Sequence, residues 1–99
     1  MGLLDINLLD KNACLYIVIG EKEYWRKGIG TQAIKFILDY GFNKLKLHKI
    51  WLDVHADNLP AIKLCQKFGF TEEGRFKDQI RHGSKYTDEL RMAKFNPKG

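Results

Sequence analysis

A chain of 99 residues and 11.5 kDa holds one hydrophobic core, and 44% hydrophobic with 29% charged residues is the composition of a folding chain, which excludes a disordered tail. Seventeen Lys and Arg against twelve Asp and Glu give a net charge of +5 at pH 7, which favours an anionic partner: a phosphate-bearing cofactor, an acidic protein surface or nucleic acid. No apolar run is long enough to cross a bilayer, residues 1–9 lack the pattern of a signal peptide, and Cys14 and Cys65 form no metal or disulfide spacing, so a cytoplasmic protein without membrane contact or structural metal is expected.

The first element is a strand in which Leu4, Ile6 and Leu8 alternate with Asp5 and Asn7, followed by turn chemistry at Asp10-Lys11-Asn12. Residues 14–19 are apolar on both faces, which places that strand centrally in a sheet. A loop over 21–27 leads into a helix from about Gly28 into the low forties, where Ile29, Ala33, Ile37 and Tyr40, with Ile34 and Leu38 beside them, recur at helical spacing. Ile50, Leu52 and Val54 alternate through a strand over Lys49–His55. Asp57 or Asn58 then caps a second helix that carries Pro60 in its first turn and Gly69 just past its end. Residues 70–76 read as a strand, 77–84 as a polar loop and Lys85–Phe95 as a last strand. The order β-β-α-β-α-β-β is a mixed α/β (α+β) fold, with residues 1–95 as a single domain, 96–99 as a tail, and an antiparallel hairpin at the end.

Arg26-Lys27-Gly28-Ile29-Gly30-Thr31 carries the strongest chemistry. A loop that opens a helix presents unpaired backbone N–H groups at the positive end of the helix dipole. Gly28 and Gly30 admit a ligand close to the backbone, and Arg26 and Lys27 add charge, so a pyrophosphate is the natural guest. A plain tight turn is the bland alternative. Gly28-x-Gly30-x-x-Ala33, with Asp53 about twenty residues on, also meets the dinucleotide fingerprint, but residues 20–27 separate the strand from the first glycine and the chain is short for that fold.

The second helix separates these readings. Asn58-Leu59-Pro60-Ala61-Ile62-Lys63-Leu64-Cys65-Gln66-Lys67-Phe68-Gly69-Phe70 resembles the Asn-x-x-Ala-x-x-x-Tyr-x-Lys-x-Gly-Phe signature of the GNAT superfamily of N-acetyltransferases. Tyr24-Trp25-Arg26-Lys27-Gly28-Ile29-Gly30-Thr31 is similar to that superfamily's acetyl-CoA loop, in a variant found in its ribosomal-protein acetyltransferase (RimJ/RimL-like) branch, which Thr71-Glu72-Glu73-Gly74 and Tyr86-x-Asp88 also resemble.

The resemblance implies acetyl-CoA as cosubstrate. Its pantetheine arm would lie along the backbone of the strand that carries Ile17 and Ile19, partnered by 51–55, with the pyrophosphate on the N–H groups of Arg26, Lys27, Gly28, Ile29, Gly30 and Thr31. Asn58 corresponds to a pantetheine contact, doubling as a helix cap, and Ala61 lies on the same signature. The implied reaction is direct attack of a primary amine, a protein N-terminus or a small amine, on the thioester in a ternary complex. It needs a proton acceptor for the ammonium and a donor for the departing thiolate. Cys65 stands where the family has its Tyr acid, and a Cys there is also an acetyl acceptor in principle. Cys14 stands where the family often has a Glu base and reads as packing. Glu21, Glu23, Asp53 and His55 are the remaining acceptors, with His55 first because imidazole titrates in the useful range.

Family members begin with further strands and helices before the region matching residue 1, so the resemblance implies a truncated fold with an exposed sheet edge, and from it a homodimer formed by edge pairing or strand exchange. The competing function is a catalytically silent acetyl-CoA binder or interaction module. Nucleic-acid binding rests only on scattered basic residues such as Lys44, Lys77 and Arg81, without an aromatic platform.

Overall fold

The computed structural model describes residues 2–16 and 29–98, and its backbone falls into two compact units. Residues Met1–Ile50 with Phe95–Gly99 make the first, and Trp51–Lys94 the second. Among the described residues five strands follow the order β1-β2-β3-β5-β4, with two helices between them in sequence, the mixed fold expected from the pattern.

In the first unit β1 (Gly2–Asn7) pairs antiparallel with β2 (Asn12–Tyr16), Leu3 opposite Leu15 and Leu4 opposite Cys14. The register slips between Leu4 and Asn7, where Asp5 takes φ 49°. Asn7 then builds the turn: its Oδ1 accepts the N–H groups of Leu9 and Asp10 at 3.1 and 3.0 Å, and its amide donates to the Asp10 carboxylate at 2.9 Å. The strand therefore stops before Leu8, and the alternation of Leu4, Ile6 and Leu8 marks an exposed apolar set, extended by Leu9 at 95% exposure. β2 is an inner strand of the order, with Ala13 and Leu15 buried. The expected end of that strand and the loop over 21–27 lie outside the described residues.

Helix α1 (Ile29–Asp39) runs into a π-helical turn over Tyr40–Lys44, closed by the Leu45 N–H on the Tyr40 carbonyl at 3.0 Å. Ile34, Leu38 and Phe42 enter the core at intervals of four, whereas Tyr40, expected on the buried stripe, is exposed and stacks on Phe36 at 6.5 Å between centroids. Gly41 is required there, since a Cβ would stand 2.8 Å from Ile50 Cδ1. Leu47 and Ile50 are fully buried.

β3 (Lys49–His55) has the expected bounds, with Leu52 and Val54 buried in the second unit. Helix α2 (Leu59–Lys67) is capped by Asn58, whose Oδ1 accepts the Ala61 N–H at 3.4 Å, with Pro60 in the first turn. At its other end Gly69 takes φ 89°, its N–H bonding the Gln66 carbonyl and that of Phe70 the Cys65 carbonyl, both at 3.0 Å. This is the Schellman stop that favours glycine.

The largest departure from the sequence reading is β4, which spans Thr71–His82 where a loop was expected from residue 77. It pairs antiparallel with β5 (Lys85–Phe95) around a two-residue turn in which Gly83 has φ 62°. Polar side chains hid this extension, because a ladder exposed on both faces is held by backbone bonds and leaves no hydrophobic alternation. A slip between Phe76 and Ile80 is pinned by Asp88, which accepts the Asp78 N–H at 2.9 Å and pairs with Arg75 at 3.2 Å.

Candidate active site

The signature helix and its flanks lie within the second unit. His55 ends β3 with an exposed side chain, and its carbonyl accepts the Asn58 N–H at 3.0 Å, so strand end and helix cap are tied together. Ala61 and Cys65, four apart, form the buried stripe of α2. Cys65 is only 4% exposed, and burial pushes its thiol up to about 11. At neutral pH it keeps its proton, which disfavours the acetyl-acceptor role, since the thiolate is the nucleophile. As a donor it is a weaker acid than an ordinary thiol.

The same shift ties stability to alkaline pH. Below pH 9.0 folded and unfolded thiols are both protonated. Between 9.0 and about 11 the unfolded chain releases the proton while the folded one keeps it, so stability falls as pH rises through that window. In Cys65→Ala this component of the alkaline loss is expected to disappear, which denaturant unfolding at about pH 8 and about pH 10.5 measures. An unchanged alkaline slope would show that Cys65 titrates normally.

On β3 the side chains of Trp51, Asp53 and His55 share the face opposite the buried Leu52 and Val54. Arg91 grips the Asp53 carboxylate through two bonds of 2.9 and 3.1 Å, and its guanidinium lies 4.1 Å from the Trp51 ring and 5.2 Å from that of Phe76. Asp53, one of the candidate proton acceptors, is thereby a salt-bridge anchor. The His55 ring meets that of His82 edge-on at 5.6 Å. Neither Arg91 nor His82 was singled out from the sequence. Alternation places Trp51, Asp53 and His55 on one face, but their partners come from strands β4 and β5, beyond any local pattern.

Of the expected cofactor residues, Ile17, Ile19, Arg26, Lys27 and Gly28 lie outside the described residues, as do Glu21 and Glu23. Ile29 and Gly30 open α1, and Thr31 is half-buried in its first turn. That turn carries no acidic residue, so the positive end of the helix dipole is left for an anion. Cys14 is half-buried on β2. Among the described residues no three His, Cys, Asp or Glu side chains gather into a metal site, and no helix is long and apolar enough to cross a membrane.

A family model described as "Acetyltransferase (GNAT) family" matches residues 1–70. The chain belongs to the GNAT family. It is 37% identical over 93 residues to the spermidine N(1)-acetyltransferase of Escherichia coli (strain K12), an alignment covering 94% of this GNAT chain and 50% of the relative. The Vibrio cholerae spermidine N(1)-acetyltransferase is 37% identical over 90 residues, which cover 91% of this chain and 51% of that one. A solved dodecameric spermidine N-acetyltransferase from Vibrio cholerae matches with a TM-score of 0.85 and 35% identity, covering 97% of this chain and 56% of that one. The GNAT chain thus spans about half the length of the curated relatives it matches. These relatives are named for spermidine, so they support the superfamily expected from the motifs and not its ribosomal-protein branch.

Proposed function

We propose that this chain is the acetyl-CoA-binding part of an N-acetyltransferase that passes the acetyl group to a primary amine by direct attack in a ternary complex. The identity of 37% over 94% of the chain to a spermidine acetyltransferase carries the reading. It also favours a small polyamine such as spermidine over a protein N-terminus as acceptor. The cofactor's pyrophosphate rests on the N–H groups of residues 26–31 and its pantetheine arm runs along Ile17 and Ile19; Asn58 and Ala61, on the signature helix, are cofactor contacts by the same resemblance. His55 takes the ammonium proton, directly or through water, and the leaving thiolate is protonated from Cys65 or from solvent. Burial makes Cys65 a weaker acid than an ordinary thiol, which lowers its share of that last step. We place the protein in the cytoplasm, where acetyl-CoA is available.

Calorimetric titration with acetyl-CoA, together with CoA release in the presence of spermidine, tests this reading. Saturable binding and spermidine-dependent release are expected, with binding lost in Gly28→Glu, whose carboxylate would repel the pyrophosphate. Binding without release over a panel of amines would favour the silent binder, and no binding would remove both.

Self-association belongs to the same proposal. β1 is an edge strand, the nearby Leu4, Ile6, Leu8 and Leu9 are exposed, and a solved relative is dodecameric. A dimer or larger assembly is expected in sedimentation at about 50 µM, and a well-folded monomer there would contradict it.

A further inference from the structure

The first unit contains a cleft of about 370 Å³ whose charge the acetyl-transfer reading does not use. Three lysines from three separate segments line it: Lys11 from the turn before β2, Lys46 from the turn after the π-helical segment, and Lys98 from the C-terminal stretch. His48, Asn43 and Asn96 add polar groups, and none of the eight lining residues is an Asp or Glu.

The backbone beneath these side chains is held in place. The Lys11 carbonyl accepts the N–H groups of His48 and Lys49 at 2.7 and 3.1 Å, and the His48 carbonyl accepts that of Asn96 at 2.8 Å. The Asn96 amide donates to the Phe42 and Leu47 carbonyls at 3.2 and 2.9 Å. Those two oxygens, at and just beyond the C-terminal end of the helical segment, would otherwise oppose an anion. Lys98 Nζ stands 3.4 Å from Asn43 Oδ1, which orients one ammonium toward the cleft wall.

Three like charges around one concavity repel one another, and an anion placed among them relieves that repulsion. The volume is in the range of small-molecule sites, and lysine meets phosphate as a point charge. We infer that this cleft binds a small phosphate-bearing anion, at a site separate from the acetyl-CoA loop. The separation follows from α1 itself: the loop precedes its first turn, whereas Phe42 and Asn43 lie past its far end, roughly 20 Å along the axis at 1.5 Å per residue.

Inorganic triphosphate, titrated into the full chain with acetyl-CoA saturating and followed by amide NMR shifts, tests the inference. Shifts are expected at Asn43, His48 and Asn96, weakening with added salt. The double variant Lys46→Glu/Lys98→Glu should bind about tenfold more weakly. Gly28→Glu, titrated without acetyl-CoA, should show the same triphosphate shifts at these three residues. No shift at about 10 mM triphosphate, shifts confined to the start of α1, or a double variant that folds and binds like the wild type would each overturn the proposal. The wild-type shift map stands even if the double variant fails to fold. Adenosine triphosphate as a second probe separates the sources: equal affinity assigns the phosphate chain alone, tighter binding brings in the nucleoside, and both support the site.

Discussion

Replacing Phe70 by Ala is expected to lower the unfolding free energy by about 3–5 kcal/mol, the range for truncating a fully buried aromatic ring. Phe70 is 2% exposed and among the largest fully buried side chains of the described residues. Its position is set by the helix stop before it: the left-handed Gly69 turns the chain, the Phe70 N–H closes on the Cys65 carbonyl, and the ring follows into the core of the second unit. The void left by truncation has to be filled by the surrounding side chains or stay empty. Small domains have about 5–15 kcal/mol in all, so the variant should melt roughly 15–30 °C lower or fail to fold at physiological temperature. Thermal and denaturant unfolding measure this, and a loss below about 1 kcal/mol would mean that the ring is not part of a packed core.

Substituting His55 by Ala should reduce kcat/KM by about 10²-fold, the lower end of what a positioned proton acceptor contributes. The side chain is exposed at the end of β3, three residues before the Asn58 cap, and its ring lies against that of His82. Removing it deletes no buried packing, so the fold should persist while turnover falls. His82→Ala, which leaves His55 in place but removes its ring neighbour, should have a smaller effect. A kcat/KM of His55→Ala equal to that of the wild type would assign proton removal to another group or to solvent.

Elements whose signals are local in the chain were legible before any coordinates. β3 and β5 have the bounds that alternation and turn residues indicate, and α2 starts at its Asn58 cap and stops at Gly69 because both devices act within a few residues. The extension of β4 through His82 was not legible, because its polar side chains resemble a loop and its order comes from pairing with β5. Tyr40 lies beside the buried Ile34–Leu38–Phe42 row and is left exposed, because which edge of a broad apolar stripe is covered depends on what packs against it.

The candidate site divides along the same line. The sequence by itself determined the family, through two motifs in order, and with it the expectation of acetyl-CoA on residues 26–31 and Asn58 at a helix start. Length began as a limit on domain number, and +5 as a preference for anions. Only the tertiary structure decided that the Asp53 carboxylate is held by Arg91, that His55 has His82 as a ring neighbour, that Cys65 is buried enough to keep its proton, and that Lys11, Lys46 and Lys98 line one cleft. Caps, turns and alternation act between residues a few positions apart, so the order of residues encodes them. The acidity of a thiol or the charge of a cleft depends on which distant side chains the fold brings within a few ångströms, and only the folded chain states that.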